Sequence, residues 1–301
     1  MNGFGFTEAI TYSFGSEFSG DRLRVKEKDA RRAFIHILNP LTEDQTVMRT
    51  SLVPGLIEAA VYNIARQVKN LKLFEIGKIF IKSDRQDLPL EPEILTALWT
   101  GARNDASWHS REVPCDFYDL KGAAEGLIHA LKINKVRFTK MPAESCDYTR
   151  PGYTARILAE GIQVGLVGEI HPRVRSNFDL KQTAFIFELE LEKIISLIPS
   201  ASVSRPIPRF PAIYRDITII VDRGIETQTV LEAVDELGED LVERLHIFGV
   251  FEGDPIAAGK KSVSFRVTYR SSTKTLEDDD VNDLHRAITD KLLKAFDATL
   301  P

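Results

Sequence analysis

Cysteine is almost missing from this chain: Cys115 and Cys146 are the only two in 301 residues, and they do not stand at metal-ligand spacing. Two such thiols make neither a disulfide-stapled fold nor a cysteine zinc site, and in a reducing compartment both are expected to be buried or idle. The six histidines, at 36, 109, 129, 171, 246 and 285, are dispersed, with no pair placed to share a metal. No apolar run approaches the roughly 20 residues that span a bilayer, and no charged-then-apolar leader opens the chain. The expectation is a cytoplasmic protein with no membrane contact. A surplus of positive charge is lacking too. The formal net charge is −5, which gives no global signal for nucleic acid, and no DNA partner is expected. Residues 1–206 hold 27 Lys+Arg against 26 Asp+Glu, whereas residues 207–301 hold 12 against 18. Any RNA contact in the acidic C-terminal part must rest on a few placed groups rather than on a basic field.

What is present suffices for a sizeable core. A hydrophobic fraction of 43% and a charged fraction of 28% over 301 residues fit an ordinary globular chain of two domains. Residues 39–82 organise the first. Asn39-Pro40 ends the apolar, strand-like run 33–38, because proline brings no N–H to a ladder and restrains the residue before it. Thr50 and Ser51 supply hydroxyls to cap a helix that starts near Val53-Pro54. Leu56, Ile57, Ala60, Val61, Ile64 and Val68 recur on one face of that helix. Residues 71–82 then read as a strand, with Leu73, Glu75 and Gly77 on one face and Phe74, Ile76, Ile79 and Ile81 largely on the other.

Further along, 8–14 and 94–101 read as strands, and 116–131 carries helical spacing through Leu120, Ala124, Leu127, Ile128 and Leu131. Glu160-Gly161 marks a hairpin between 155–159 and 164–170, His171-Pro172 starts a short helix, and 184–191 is another strand. Hairpins mixed with helices argue for an antiparallel α+β fold. The proline- and serine-rich stretch 196–210 reads as a linker. Beyond it come strand 216–221, helix 227–237, strands 242–251 and 262–270, helix 276–296 and a terminal strand. That β-α-β-β-α-β order is the ferredoxin-like split arrangement.

Asn39-Pro-Leu41, the run Val47-Met-Arg-Thr-Ser-Leu-Val-Pro-Gly-Leu56 and Leu73-Phe-Glu-Ile-Gly-Lys-Ile-Phe80 together resemble the second signature motif of class II aminoacyl-tRNA synthetases. More narrowly, they resemble the beta subunit of bacterial phenylalanyl-tRNA synthetase. Residues 209–217, 245–253, 259–269 and 275–282 independently resemble the ferredoxin-fold anticodon-binding domain that ends the same subunit. The resemblance covers essentially the whole chain. It implies a class II synthetase-like antiparallel sheet with helices over 1–195, a linker at 196–210, and a small ferredoxin-like βαββαβ domain over 211–301. It also implies that Met1 stands inside a longer polypeptide, after a motif 1 helix and the editing and tRNA-handling modules. The implied partners are a catalytic alpha subunit, in a heterotetramer, and tRNA-Phe. ATP and magnesium belong to the implied holoenzyme, with no cofactor expected in this portion.

An active class II site needs arginines whose guanidinium forks match phosphate oxygens. Where the resembled motif 2 carries one, directly after Phe80, this chain has Ile81, and Ser83 stands where an acidic residue is usual. Where motif 3 has a glycine-rich strand and a second arginine, residues 185–193 place Glu188 and Glu190 at the glycines and Lys193 at the arginine. Two carboxylates repel a polyphosphate and block its approach to the backbone. The resemblance therefore implies a retained fold with the ATP chemistry lost, with no catalytic residue and no metal ligand. Residues 165–172 lack the lysine of a P-loop and read as a strand with glycines for close packing. Asp278-Asp279-Asp280 opens a helix, where carboxylates meet the positive dipole end. Residues 148–153 match a family loop that tends to carry His at Tyr148, and no chemistry is assigned to them.

RNA is expected on the sheet face of the small domain that its helices leave free. Val263, Phe265, Val267 and Tyr269 alternate with Ser264, Arg266, Thr268 and Arg270, while Ile217, Ile219 and Val221 alternate with Asp216 and Thr218. The candidate contacts are Arg266, Thr268 and Arg270, with Arg244 and His246 from the second strand and Tyr214 and Arg215 from the approach segment. Single-stranded bases stack on such aromatic rings and guanidinium planes. An ordinary solvated face would show the same alternation. Two other functions stay open at this point: a free-standing ATP-dependent ligase on a synthetase-like fold, and a ferredoxin-like regulatory binding module. An uncovered subunit interface is expected on helix 53–68 and residues 8–14.

Overall fold

Little of the first seventy residues is regular. In this computed structural model, which describes residues 1–83, 88–142, 145–201 and 207–301, they hold β1 (Thr7–Glu8), β2 (Phe14–Gly15), α1 (Phe18–Arg22), β3 (Val47–Met48) and α2 (Val53–Ile64). The run 33–38 is not a strand. Only His36 bridges to Val47, and Leu38 is 97% exposed, so the apolar run has no core to pack on. Residues 8–14 are extended only at their ends, because the middle is held by side chains: Thr11 bonds Glu75 through both its N–H and its hydroxyl. The N-cap is Leu52, which makes no side-chain cap bond; Ser51, one residue before it, accepts the Val53 N–H on its Oγ at 3.1 Å, and the Thr50 hydroxyl donates to the Arg31 carbonyl. Helix α2 stops at Ile64. Gln67 turns the chain with φ 70°, and Val68 is left exposed rather than on the buried face.

The rest of the first unit, Met1–Ser202, is one sheet between two helical layers. It comprises β4 (Leu71–Lys78), β5 (Glu93–Thr100), α3 (Phe117–Ala130), β6 (Val136–Lys140), β7 (Thr149–Ala159), β8 (Ile162–Ile170), α4 (Pro172–Asn177), β9 (Ala184–Glu190) and α5 (Leu191–Leu197). The strand order is β1-β4-β5-β9-β8-β7-β6, antiparallel throughout except for the parallel β1–β4 pair. Strand β4 ends at Lys78, short of the expected 82, and Ile81 makes only an isolated bridge to Leu90. Strand β6 and helix α5 carry weaker sequence patterns and were not expected; α5 runs into the stretch that reads as linker.

Alternation sorts the core. On β9, Phe185, Phe187 and Leu189 join Leu120, Ala124 and Ile128 of α3 on one face. Ala184 and Ile186 join Leu56, Ile57 and Ala60 of α2 on the other. Gly165 of β8 lies so close to the Glu188 carbonyl of β9 that a Cβ there would collide with it, the close packing anticipated for this run. Both cysteines are buried thiols, and burial pushes Cys115 up to about 12.

The second unit, Val203–Pro301, contains β10 (Ile213–Asp222), α6 (Thr227–Asp235), β11 (Val242–Phe251), β12 (Lys260–Tyr269) and α7 (Asp278–Ala295), with strand order β10-β12-β11. The expected terminal strand is reduced to a single bridge from Thr299 to Ile220. Ile217, Ile219, Val221, Val263, Phe265, Val267 and Tyr269 form the core with Val230 and Val234 of α6 and Val281, Ile288 and Leu292 of α7. Among the described residues of this unit no helix packs on the opposite sheet face.

Candidate nucleic-acid interface

The open face of the second unit is built by register. Strand β10 pairs with β12 without interruption, so Asp216 lies opposite Arg266 and Tyr214 opposite Thr268. On the other side of β12, His246 lies opposite Arg266 and Arg244 opposite Thr268. Tyr214, Arg244, His246, Arg266 and Thr268 therefore share one face, and the first four are exposed. Arg266 is its hub. Its Nε and Nη2 meet Asp216 Oδ1 and Oδ2 at 2.7 and 2.8 Å, and its guanidinium lies 6.0 Å from the Tyr214 ring and 5.8 Å from the Phe248 ring. The hydrogen bonds from Arg266 hold the Asp216 carboxyl below the usual carboxylate range. Arg244 has no charged partner among the described residues.

Two expected contacts are elsewhere. Arg215 shares strand parity with Ile217 and Ile219, so it faces the helices and pairs with Asp278 at the start of α7. Strand β10 begins three residues earlier than the sequence suggested, which puts Arg215 inside the ladder instead of on an approach segment. Arg270 lies beyond the end of β12. It ties the Phe210 carbonyl (2.6 Å) and Glu243 (2.9 Å) to the sheet edge, an anchoring position rather than a free cation. Phe248, an apolar residue that strand alternation of polar groups does not mark, stands out from β11 at an irregularity between Ile247 and Gly249 and is 53% exposed. Two of the three aspartates at 278–280 are engaged in structure: Asp278 takes Arg215, and Asp280 takes the Glu277 N–H and Lys274.

The positions that would meet a triphosphate lie in the first unit. Ile81 presents an aliphatic side chain at its isolated bridge. Glu188 sits on the α2 side of β9, accepts a hydrogen bond from the Tyr148 hydroxyl and faces Thr96 on β5. Burial raises the affinity of both Glu188 and Tyr148 for their protons, keeping the phenol protonated as the donor. Glu190 holds Lys193 at 2.7 Å. An aliphatic chain, a carboxylate committed to a phenol and a neutralised lysine do not fit a triphosphate. Among the described residues no cluster of three His, Cys, Asp or Glu could hold a metal.

Beside these groups, the irregular N-terminal segment borders a cleft of about 740 Å³ lined by Tyr12, Phe14, Phe18, Tyr62, Arg49 and Thr50 among others. The Tyr12 and Phe14 rings stack at 5.6 Å. Ile10 is 89% exposed, and Tyr12, Phe18 and Tyr62 are exposed with it. Of the expected stretch 8–14, Ile10 and Tyr12 are exposed, and Phe18 adds to them from outside it; α2 contributes Tyr62, because Leu56 and Ile57 face the core.

The fold defines a class: an α+β core built on a mainly antiparallel sheet between helices, followed by a ferredoxin-like domain whose described helices cover one face of its sheet. Residues 1–191 match the family model described as phenylalanyl tRNA synthetase beta chain CLM domain, and residues 208–301 match the ferredoxin-fold anticodon binding domain. The chain belongs to the phenylalanyl-tRNA synthetase beta chain family. It is 36% identical to the phenylalanine–tRNA ligase beta subunit of Geobacter sulfurreducens over 300 residues, all of this chain and 37% of that one. The corresponding subunit of Syntrophus aciditrophicus is 37% identical over 97% of this chain and 36% of its own length. The chain thus spans little more than a third of these curated relatives. Among solved structures, the pyrrolysyl-tRNA synthetase of Desulfitobacterium hafniense is similar at 14% identity and a TM-score of 0.47, covering 64% of this chain and 63% of that one.

Proposed function

We propose that this chain is the non-catalytic part of a phenylalanine–tRNA ligase beta subunit that scaffolds the catalytic alpha subunit and meets tRNA-Phe near its anticodon. What supports this reading is a sheet that keeps its packing while Ile81, Glu188 and Glu190 stand at the positions that the resemblance aligns with phosphate-binding groups. A core that keeps its packing while its charge is set against a polyphosphate supports assembly rather than chemistry. In this reading ATP and magnesium act at the alpha subunit of a cytoplasmic heterotetramer. The apolar rim of Ile10, Tyr12 and Phe18 covers part of the subunit contact. Tyr214, Arg244, His246, Phe248, Arg266 and Thr268 receive unpaired anticodon bases.

Two measurements test the scaffold. The chain alone is expected to give no phenylalanine-dependent ATP–pyrophosphate exchange above buffer; exchange that persists after host synthetase is excluded would end the reading. Co-expressed with the alpha subunit of the same organism, the chain is expected to co-elute with it in size-exclusion chromatography. Tyr12→Asp with Phe18→Asp should abolish co-elution, because a carboxylate on an apolar contact must be desolvated without a partner. Separate elution of the unaltered pair would show that this face serves something else.

A further inference from the structure

We propose that a second RNA-backbone contact lies on the first unit, on the surface around His171 carried by Arg24, Arg150, Tyr153 and Arg173. This rests on the tRNA reading above and extends it away from the ferredoxin-fold domain. Three chain segments converge there. The His171 N–H bonds the Tyr148 carbonyl at 2.9 Å, closing the end of the β7–β8 ladder, and the Arg173 N–H bonds His171 Nδ1 at 3.0 Å. Arg24 reaches the Asp147 carbonyl at 3.4 Å. Reciprocal bonds between Arg22 and Asn177, at 3.3 and 2.9 Å, hold that segment against α4.

Charge is layered at this surface. The acids lie underneath and are engaged: Glu169 takes Arg150 at 3.0 and 3.2 Å, and Asp147 takes the Lys26 N–H at 3.2 Å and its ammonium at 3.5 Å. The side chains of Glu169 and Asp147 are only 7% and 13% exposed. The cations lie outside. Arg173 is exposed, and its guanidinium has no partner among the described residues. Arg150 stacks 4.0 Å over the exposed Tyr153 ring. His171 is held neutral by burial first and then by Arg24, Arg173 and Arg150, which leaves its Nε2–H as a donor. Outward guanidinium groups beside an aromatic ring, over buried carboxylates, match the phosphates of a folded RNA; an apolar or cationic partner would find nothing complementary.

The test uses the full 301-residue chain and a tRNA-Phe transcript across a salt series. Arg173→Glu is expected to weaken binding at least about fivefold and to flatten the slope of log K against log salt by about 0.9–1.8, one or two phosphate contacts. Lys132→Glu makes the same charge change on the turn after α3, which packs on the opposite sheet face, and should stay within about twofold of the parent by the same counting. Arg24→Gln is a second variant, with matching thermal melts as the folding control. If Arg173→Glu and Lys132→Glu behave alike while the parent binds, the proposal fails and the tRNA reading stands. If the parent binds no tRNA, the tRNA reading fails and this contact fails with it. Loss of alpha-subunit association with RNA binding intact would make the surface a protein contact, which also overturns it.

Discussion

Replacing Glu75 by alanine is expected to destabilise the first unit by about 3–5 kcal/mol, the cost of leaving one member of a buried ion pair alone. Glu75 lies in β4, and its side chain is 3% exposed against 11% for Arg49. Its Oε1 takes Arg49 Nη1 at 2.7 Å and the Thr11 N–H at 3.2 Å, and its Oε2 takes the Thr11 hydroxyl at 2.7 Å. Arg49 Nε meanwhile caps the Lys78 carbonyl at 2.9 Å. Alanine at 75 removes the acceptor for three donors and leaves the Arg49 guanidinium without its carboxylate. Against a typical stability of about 5–15 kcal/mol this is a large fraction. Urea or thermal unfolding measures it. A loss below about 1 kcal/mol would mean that the network contributes no more than a surface pair does. Because Glu75 is also what fixes Thr11, the same variant should loosen residues 9–13 and reduce alpha-subunit association.

In the reconstituted enzyme, Tyr214→Ala with Arg266→Ala is expected to weaken tRNA-Phe binding by about 10- to 100-fold, as loss of one or two base stacks would. Phenylalanine activation should be unchanged. The pair is chosen from the geometry: Asp216 holds Arg266 through two hydrogen bonds, with the Tyr214 and Phe248 rings 6.0 and 5.8 Å from its guanidinium. Arg270 is left intact because its loss would free the Phe210 carbonyl and Glu243 and disturb the chain that leads into β10. Filter binding and aminoacylation at varied tRNA read the effect. If KM for tRNA is unmoved, the face is a solvated sheet surface and the anticodon is met elsewhere.

The sequence by itself determined what local periodicity can encode. Alternation placed Val263, Phe265, Val267 and Tyr269 against the helices and Arg266 and Thr268 away from them, because successive side chains on a strand point to opposite faces. Helical spacing located α3 and α7. The same parity, carried back from Ile217, put Arg215 inward once β10 was known to begin at Ile213. Only the tertiary structure decided which charges meet. Arg266 and Asp216 are 50 residues apart and Arg49 and Glu75 are 26 apart, and no local pattern records such pairings. Nor could local pattern tell that 33–38 and 9–13 would not be strands. A strand requires a neighbour along its whole length, and these segments find one only at single bridges or at their ends. Long-range partners, set when the sheet closes, fixed those stretches.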